Sequence, residues 1–81
     1  MSDDEEREIK DIIELFKDEF IDYHKLKTRK SGNIKHIYFH ITLNANTTVK
    51  QAHDIIGNIK KEMNKNLKNS RITIHIDPSN N

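Results

Sequence analysis

NIKHIYFHITL, residues 33–43, alternates with period two: Ile37, Phe39, Ile41 and Leu43 fall on one side, His36, Tyr38, His40 and Thr42 on the other. One side demands a core, while the other carries groups that hydrogen-bond or bind ions. A strand of this kind belongs to a sheet covered on a single face. Just before it, Ser31-Gly32-Asn33 signals a hairpin turn, and residues 23–30 read as a short basic strand with Leu26 as its single large aliphatic.

Beyond the strand, Asn44-Ala45-Asn46-Thr47 reads as a loop, and Thr48 with Gln51 forms a capping-box signature. Val49, Ala52, Ile56, Ile59, Met63 and Leu67 then recur at three-to-four spacing, which predicts an amphipathic helix over 48–67. Gly57 inside it costs up to about 1 kcal/mol relative to alanine. Asn69-Ser70 turns the chain into RITIHIDP, residues 71–78, where Ile72, Ile74 and Ile76 oppose Thr73, His75 and Asp77 and Pro78 closes the strand. At the other end, Ser2 with Glu5 suggests another capping box. Ile9, Ile12, Ile13, Phe16 and Phe20 form one apolar stripe, which predicts a helix over about 3–20.

The order α-β-β-α-β supplies two helices with one apolar stripe each, enough to cover one face of a three-stranded sheet. The expected fold is an α+β two-layer sandwich of ferredoxin or metallochaperone-like type, with both helices on one face. A single domain spans residues 1–81, with flexible ends expected at 1–2 and 79–81. The other sheet face is then bare, exposing His36, Tyr38, His40, Thr73, His75 and Asp77.

At 81 residues the chain lies near the lower size at which one core sustains a fold. It has no cysteine, so disulfides and thiolate metal sites are excluded. No apolar run approaches the roughly 20 residues of a bilayer span, and the acidic start lacks the features of a signal peptide, so a soluble piece is expected. The net charge of +1 is unevenly spread: residues 1–20 hold nine acids and three bases, whereas 21–35 hold five bases against Asp22. An acidic helix beside a basic strand accounts for this. The balanced total argues against nucleic acid, as does the presence of Tyr38 alone as a stacking aromatic on the bare face.

Chemistry then rests on the histidines. Were the hairpin strand and the final strand neighbours, His40 and His75 would share the bare face with Asp77 one step along. Imidazole nitrogens and a carboxylate suit Zn²⁺, and solvated or hydrogen-bonded histidines are the plain alternative. His24 precedes the basic strand, though strict alternation would put it on the side of Leu26. His53 sits one turn into the second helix. No nucleophile accompanies His75 and Asp77, and no glycine-rich phosphate loop exists, so no enzyme is expected.

HKLKTRKSG (24–32), IYFHITL (37–43), VKQAHDII (49–56) and ITIHIDP (72–78), in that order, resemble the cytoplasmic C-terminal domain of cation diffusion facilitator transporters. The resemblance covers nearly the whole chain. It implies a two-fold homodimer hanging on the cytoplasmic side below a transmembrane domain that exchanges divalent metal for protons. Metal ligands are implied at His24, His40, His53, His75 and Asp77, with Asp77 able to bridge two ions, and the chain would enter its strand late enough at His24 for alternation not to apply. The implied ion is Zn²⁺, with Co²⁺, Ni²⁺, Cd²⁺, Mn²⁺ or Fe²⁺ as substitutes, and this donor set does not separate zinc from cobalt or nickel. His36 matches no ligand position and reads as a solvated neighbour. Lys27 stands where the family commonly has arginine, which loosens any ion pair there because lysine lacks the planar fork. The implied function is a regulatory domain in which metal tightens the dimer, with metal affinity falling as pH drops through about 6.5. A constitutive dimerisation module and a free-standing metal chaperone or buffer are the rival readings.

Overall fold

The structure is a computed structural model describing residues 3–78, with side chains described over 4–77. The elements run α1 (Asp3–Glu14), β1 (Asp22–Ser31), β2 (Ile34–Leu43), α2 (Val49–Asn66) and β3 (Ser70–Pro78). The sheet order is β1-β2-β3, with β1 antiparallel to β2 and β3 parallel to it. A parallel neighbour needs a crossover, which α2 provides. The expected two-layer α+β sandwich is what forms. The Ser2–Glu5 capping box and the ends at 1–2 and 79–81 lie outside the described residues.

Central β2 carries the core. Ile37, Phe39, Ile41 and Leu43 are buried against Ile9, Ile12 and Ile13 of α1 and Ile59, Met63 and Leu67 at the C-terminal end of α2 and just beyond it, with Ile72 and Ile74 packed at the margin. No polar or charged residue is buried among the described residues. The hairpin closes through Gly32 at φ +60°, a conformation open to glycine because it has no Cβ. At the head of α2, the Thr48 hydroxyl accepts from the Gln51 N–H at 3.1 Å and the Gln51 carboxamide accepts from the Thr48 N–H at 2.9 Å, as the sequence signature predicts.

Two expectations need correction. The first helix stops at Glu14 instead of continuing to 20, because the chain must reverse before Asp22. Its bonds shorten to i→i−3 type (Phe16 N–H to Ile13 O, Lys17 N–H to Glu14 O, Glu19 N–H to Phe16 O), leaving Leu15 exposed. Phe16 and Phe20 still pack on the core, with Phe20 edge-on to Tyr23 and Tyr23 edge-on to Phe39. Val49, assigned by spacing to the core stripe, is 88% exposed. The first turn of α2 overhangs the sheet and opens an apolar groove with Ala52, Ile56, Ile74 and the 46% exposed Ile76.

Candidate metal centre

The uncovered face is organised in rows, because paired residues on neighbouring strands point the same way. His24 pairs with His40 and His40 with His75, so three imidazoles cross the sheet side by side. Their rings stack at centroid distances of 5.3 and 5.1 Å, tilted by 27° and 24°. Asp77, two residues beyond His75, leans back over this row. Its Oδ2 lies 3.1 Å from His24 Nε2 and 3.1 Å from His40 Nδ1. One carboxylate oxygen on β3 therefore gathers ligand atoms from β1 and β2.

How His24 reaches this face is visible in the backbone. One residue separates His40 from Tyr38 on β2, but two separate their partners His24 and Lys27 on β1. The extra residue is a β-bulge, with Lys25 in the left-handed region at φ +56°. It lets Leu26 pack against the core while His24 keeps the open side. The expectation of a late strand entry is thus corrected: β1 already begins at Asp22, and the bulge, not the strand start, breaks the alternation.

The structure brings His24, His40 and Asp77 together, with one donor atom of each within 4.8 Å of the others. His75 adjoins the group by stacking on His40. His53 lies elsewhere within one subunit: it is exposed on α2 and lines the apolar groove on the helix side of the sheet. His36 is half-buried at the opposite end of the open face. Tyr38 is an addition, since its Oη is 3.0 Å from His40 Nε2, so both ring nitrogens of His40 have partners. In sequence it had stood out only as a lone aromatic. Its place two residues before a histidine on the same face was the available signal.

Two nitrogens and one oxygen, half-buried and convergent, are a donor set that fits a divalent ion with borderline-soft preference. The sequence model described as cation efflux protein, cytoplasmic domain, matches residues 1–79. The chain belongs to this family. Cation efflux domains of this kind are parts of transporters, not an enzyme family. Among solved structures, CzrB superposes with a TM-score of 0.90 at 22% identity, covering 98% of both chains, and its Zn form at 0.88, covering 98% of this chain and 90% of that one. The metal-bound C-terminal domain of the CzcD transporter from Thermotoga maritima gives 0.79 at 27% identity, over 100% of this chain and 98% of that one. An uncharacterised transporter of Synechocystis is 30% identical over 63 residues, 78% of this cation efflux domain. The chain spans about a fifth of that transporter's length, 20%. No helix among the described residues is long and apolar enough to cross a membrane.

Proposed function

We propose that this chain is the regulatory cytoplasmic domain of a cation diffusion facilitator, following a membrane part as the C-terminal domain of CzcD does in its transporter, and that it binds Zn²⁺ or a similar divalent cation at His24, His40, His75 and Asp77. The supporting observation is the single oxygen, Asp77 Oδ2, held 3.1 Å from imidazole nitrogens of two other strands. A bound cation would supply a double positive charge in place of the hydrogen bonds that now converge there. Asp77 carries the compensating charge and is the residue able to face two ions. His40 stays oriented through Tyr38, and the bulge at Lys25 holds His24 in line.

Homodimerisation completes the reading. His53 has no route to the cluster inside one subunit, and it borders the groove of Val49, Ala52, Ile74 and Ile76, an apolar surface suited to a second copy. Ile76 of this groove lies between His75 and Asp77 on β3, so a second copy meeting this end of the domain would bring its His53 near the cluster. Metal then favours the tighter dimer to the extent that it binds that shape better, and control of efflux would follow from the change in shape below the membrane part. Calorimetry with zinc on the wild type and on a His75→Ala, Asp77→Ala double variant is the test: the variant is expected to lose binding, and equal affinities would remove the site. The exposed groove itself also favours a second reading, constitutive dimerisation independent of metal. Sedimentation with zinc and with chelator separates the two, because a dimer unchanged in mass and shape belongs to the second.

A further inference from the structure

Two rows from the metal cluster, the same open face changes character. Arg29 pairs with His36 and His36 with Arg71, and the adjoining row places Lys27 opposite Tyr38 and Tyr38 beside Thr73. Together they line a shallow depression of about 300 Å³. Arg29 and Arg71 stand on the two outer strands with His36 between them, so neither has an opposite charge directly across the sheet. Among the described residues no carboxylate lies within ion-pair distance of Lys27, Arg29 or Arg71. The face does hold acids, Asp22 and Asp77, but at ~3.3 Å per residue they lie about 20 Å along the strands from the row of Arg29 and Arg71 and about 13 Å from that of Lys27, beyond the Debye length of about 8 Å. The patch is therefore positive at close range, which favours the approach of an anion.

We infer that this depression is an anion site for the phosphate-bearing headgroup of a lipid surface. Two guanidinium forks on flanking strands, with Lys27 and the Thr73 hydroxyl in the adjoining row, match the several oxygens of a phosphate group. The occupant follows from the position of the site. Lys35, next to His36, bonds Glu5 in the first turn of α1 at 3.1 Å, so the basic end of the sheet is also the end where the chain enters the domain. This step rests on the proposed function, in which the membrane part precedes α1 and the basic end therefore faces the bilayer.

The test uses the full 81-residue chain with phosphatidylcholine vesicles, with and without phosphatidylglycerol. Binding is expected on the anionic vesicles alone, weakening with salt and falling about fivefold for each of Arg29→Gln and Arg71→Gln, the effect of roughly one headgroup-facing charge. Lys61→Gln, the same charge change on the exposed side of α2, is expected to leave binding as it was. Equal losses in all three variants would reduce the effect to net charge and overturn the site. So would an absence of vesicle binding, including the case in which inorganic phosphate alone perturbs the Arg29 and Arg71 resonances, which assigns the depression to a free anion. Circular dichroism checks that the variants fold. Zinc calorimetry on the same samples reports on the metal cluster separately, so failure of either reading is distinguishable from failure of the other.

Discussion

The two faces of one strand obey different rules. On the covered side of β2, Ile37, Phe39 and Ile41 have essentially no exposure, and no polar group joins them. On the open side, His36, Tyr38, His40 and Thr42 are all half-buried, and their neighbours across the sheet are charged, aromatic or hydroxyl-bearing. Burial fixes the covered side, because each side chain removed from water contributes about 1.5–3 kcal/mol. Nothing of that size constrains the open side, so its residues are free to answer to ligands. Substitutions should therefore separate cleanly: stability on one face, binding on the other.

The sharpest separation is expected from Phe39→Ala. It removes the largest fully buried side chain and should cost about 3–5 kcal/mol, a large part of the whole stability of so small a domain. Urea denaturation measures it. His40→Ala, one residue along on the other face, should leave the urea midpoint of the metal-free protein within a fraction of that change while abolishing tight zinc binding. A comparable loss of stability from both would mean that the faces are not independent.

Next in size is Lys25→Val, whose branched Cβ is a steric outlier in the left-handed backbone region that position 25 occupies and so removes the bulge while keeping the residue count. Without the bulge, His24 and Leu26 return to strict alternation and must share a side. The core retains Leu26, so His24 leaves the cluster. Zinc affinity should fall by more than the 10–100-fold typical of losing an outer hydrogen-bond partner. Adding His24→Ala to Lys25→Val should then cost nothing further. Calorimetry that finds the two losses additive would show that the bulge does not deliver His24.

That bulge also marks where the sequence stops being readable. The period-two pattern of residues 34–43 is legible because burial selects alternate residues, and the Thr48–Gln51 box because two side chains satisfy two helix-end N–H groups. The end of α1 is not, since Phe16 and Phe20 keep their helical spacing while the backbone beneath them changes to tighter turns. Nor is the bulge: Lys25 has no glycine or asparagine signature for its left-handed backbone. His40, His75 and Asp77 could be placed on one face by alternation and strand order. His24 could not, and what is decisive there is a single extra residue in register. The hydrogen bond of Tyr38 depends on a ring orientation that no spacing encodes.

Tyr38→Phe tests that bond. The hydroxyl can donate to His40 Nε2 or accept from it, so it supports the imidazole whichever nitrogen carries the proton. Losing it should lower zinc affinity within the range of about 10–100-fold while leaving the melting temperature nearly unchanged. Nitrogen-15 spectra of the His40 ring should show a change of tautomer population, which a purely structural role would not produce. On the helix layer, Gly57→Ala should raise stability by about 0.5–1 kcal/mol, since nothing stands within 4 Å of the added methyl group and a helix interior favours alanine. Zinc binding should be untouched.

The smallest effect belongs to Tyr23, at the rim of the covered face. Its phenol is pushed above the ordinary value of 10.0, first by burial and then by the carboxylates of Glu14 and Asp22, all of which disfavour the phenolate. The folded state therefore holds this proton at a pH where the unfolded chain has begun to lose it. The resulting stability is fully present below about pH 10 and is lost as pH rises through the folded value. Tyr23→Phe should make the fall in melting temperature between about pH 9 and about pH 11 shallower, with little change near neutrality because the ring's edge contacts with Phe20 and Phe39 are retained. An identical alkaline slope in the variant would show that ionisation at this rim does not oppose burial, and would blur the distinction between the two faces at the one place where a titrating group joins the covered side.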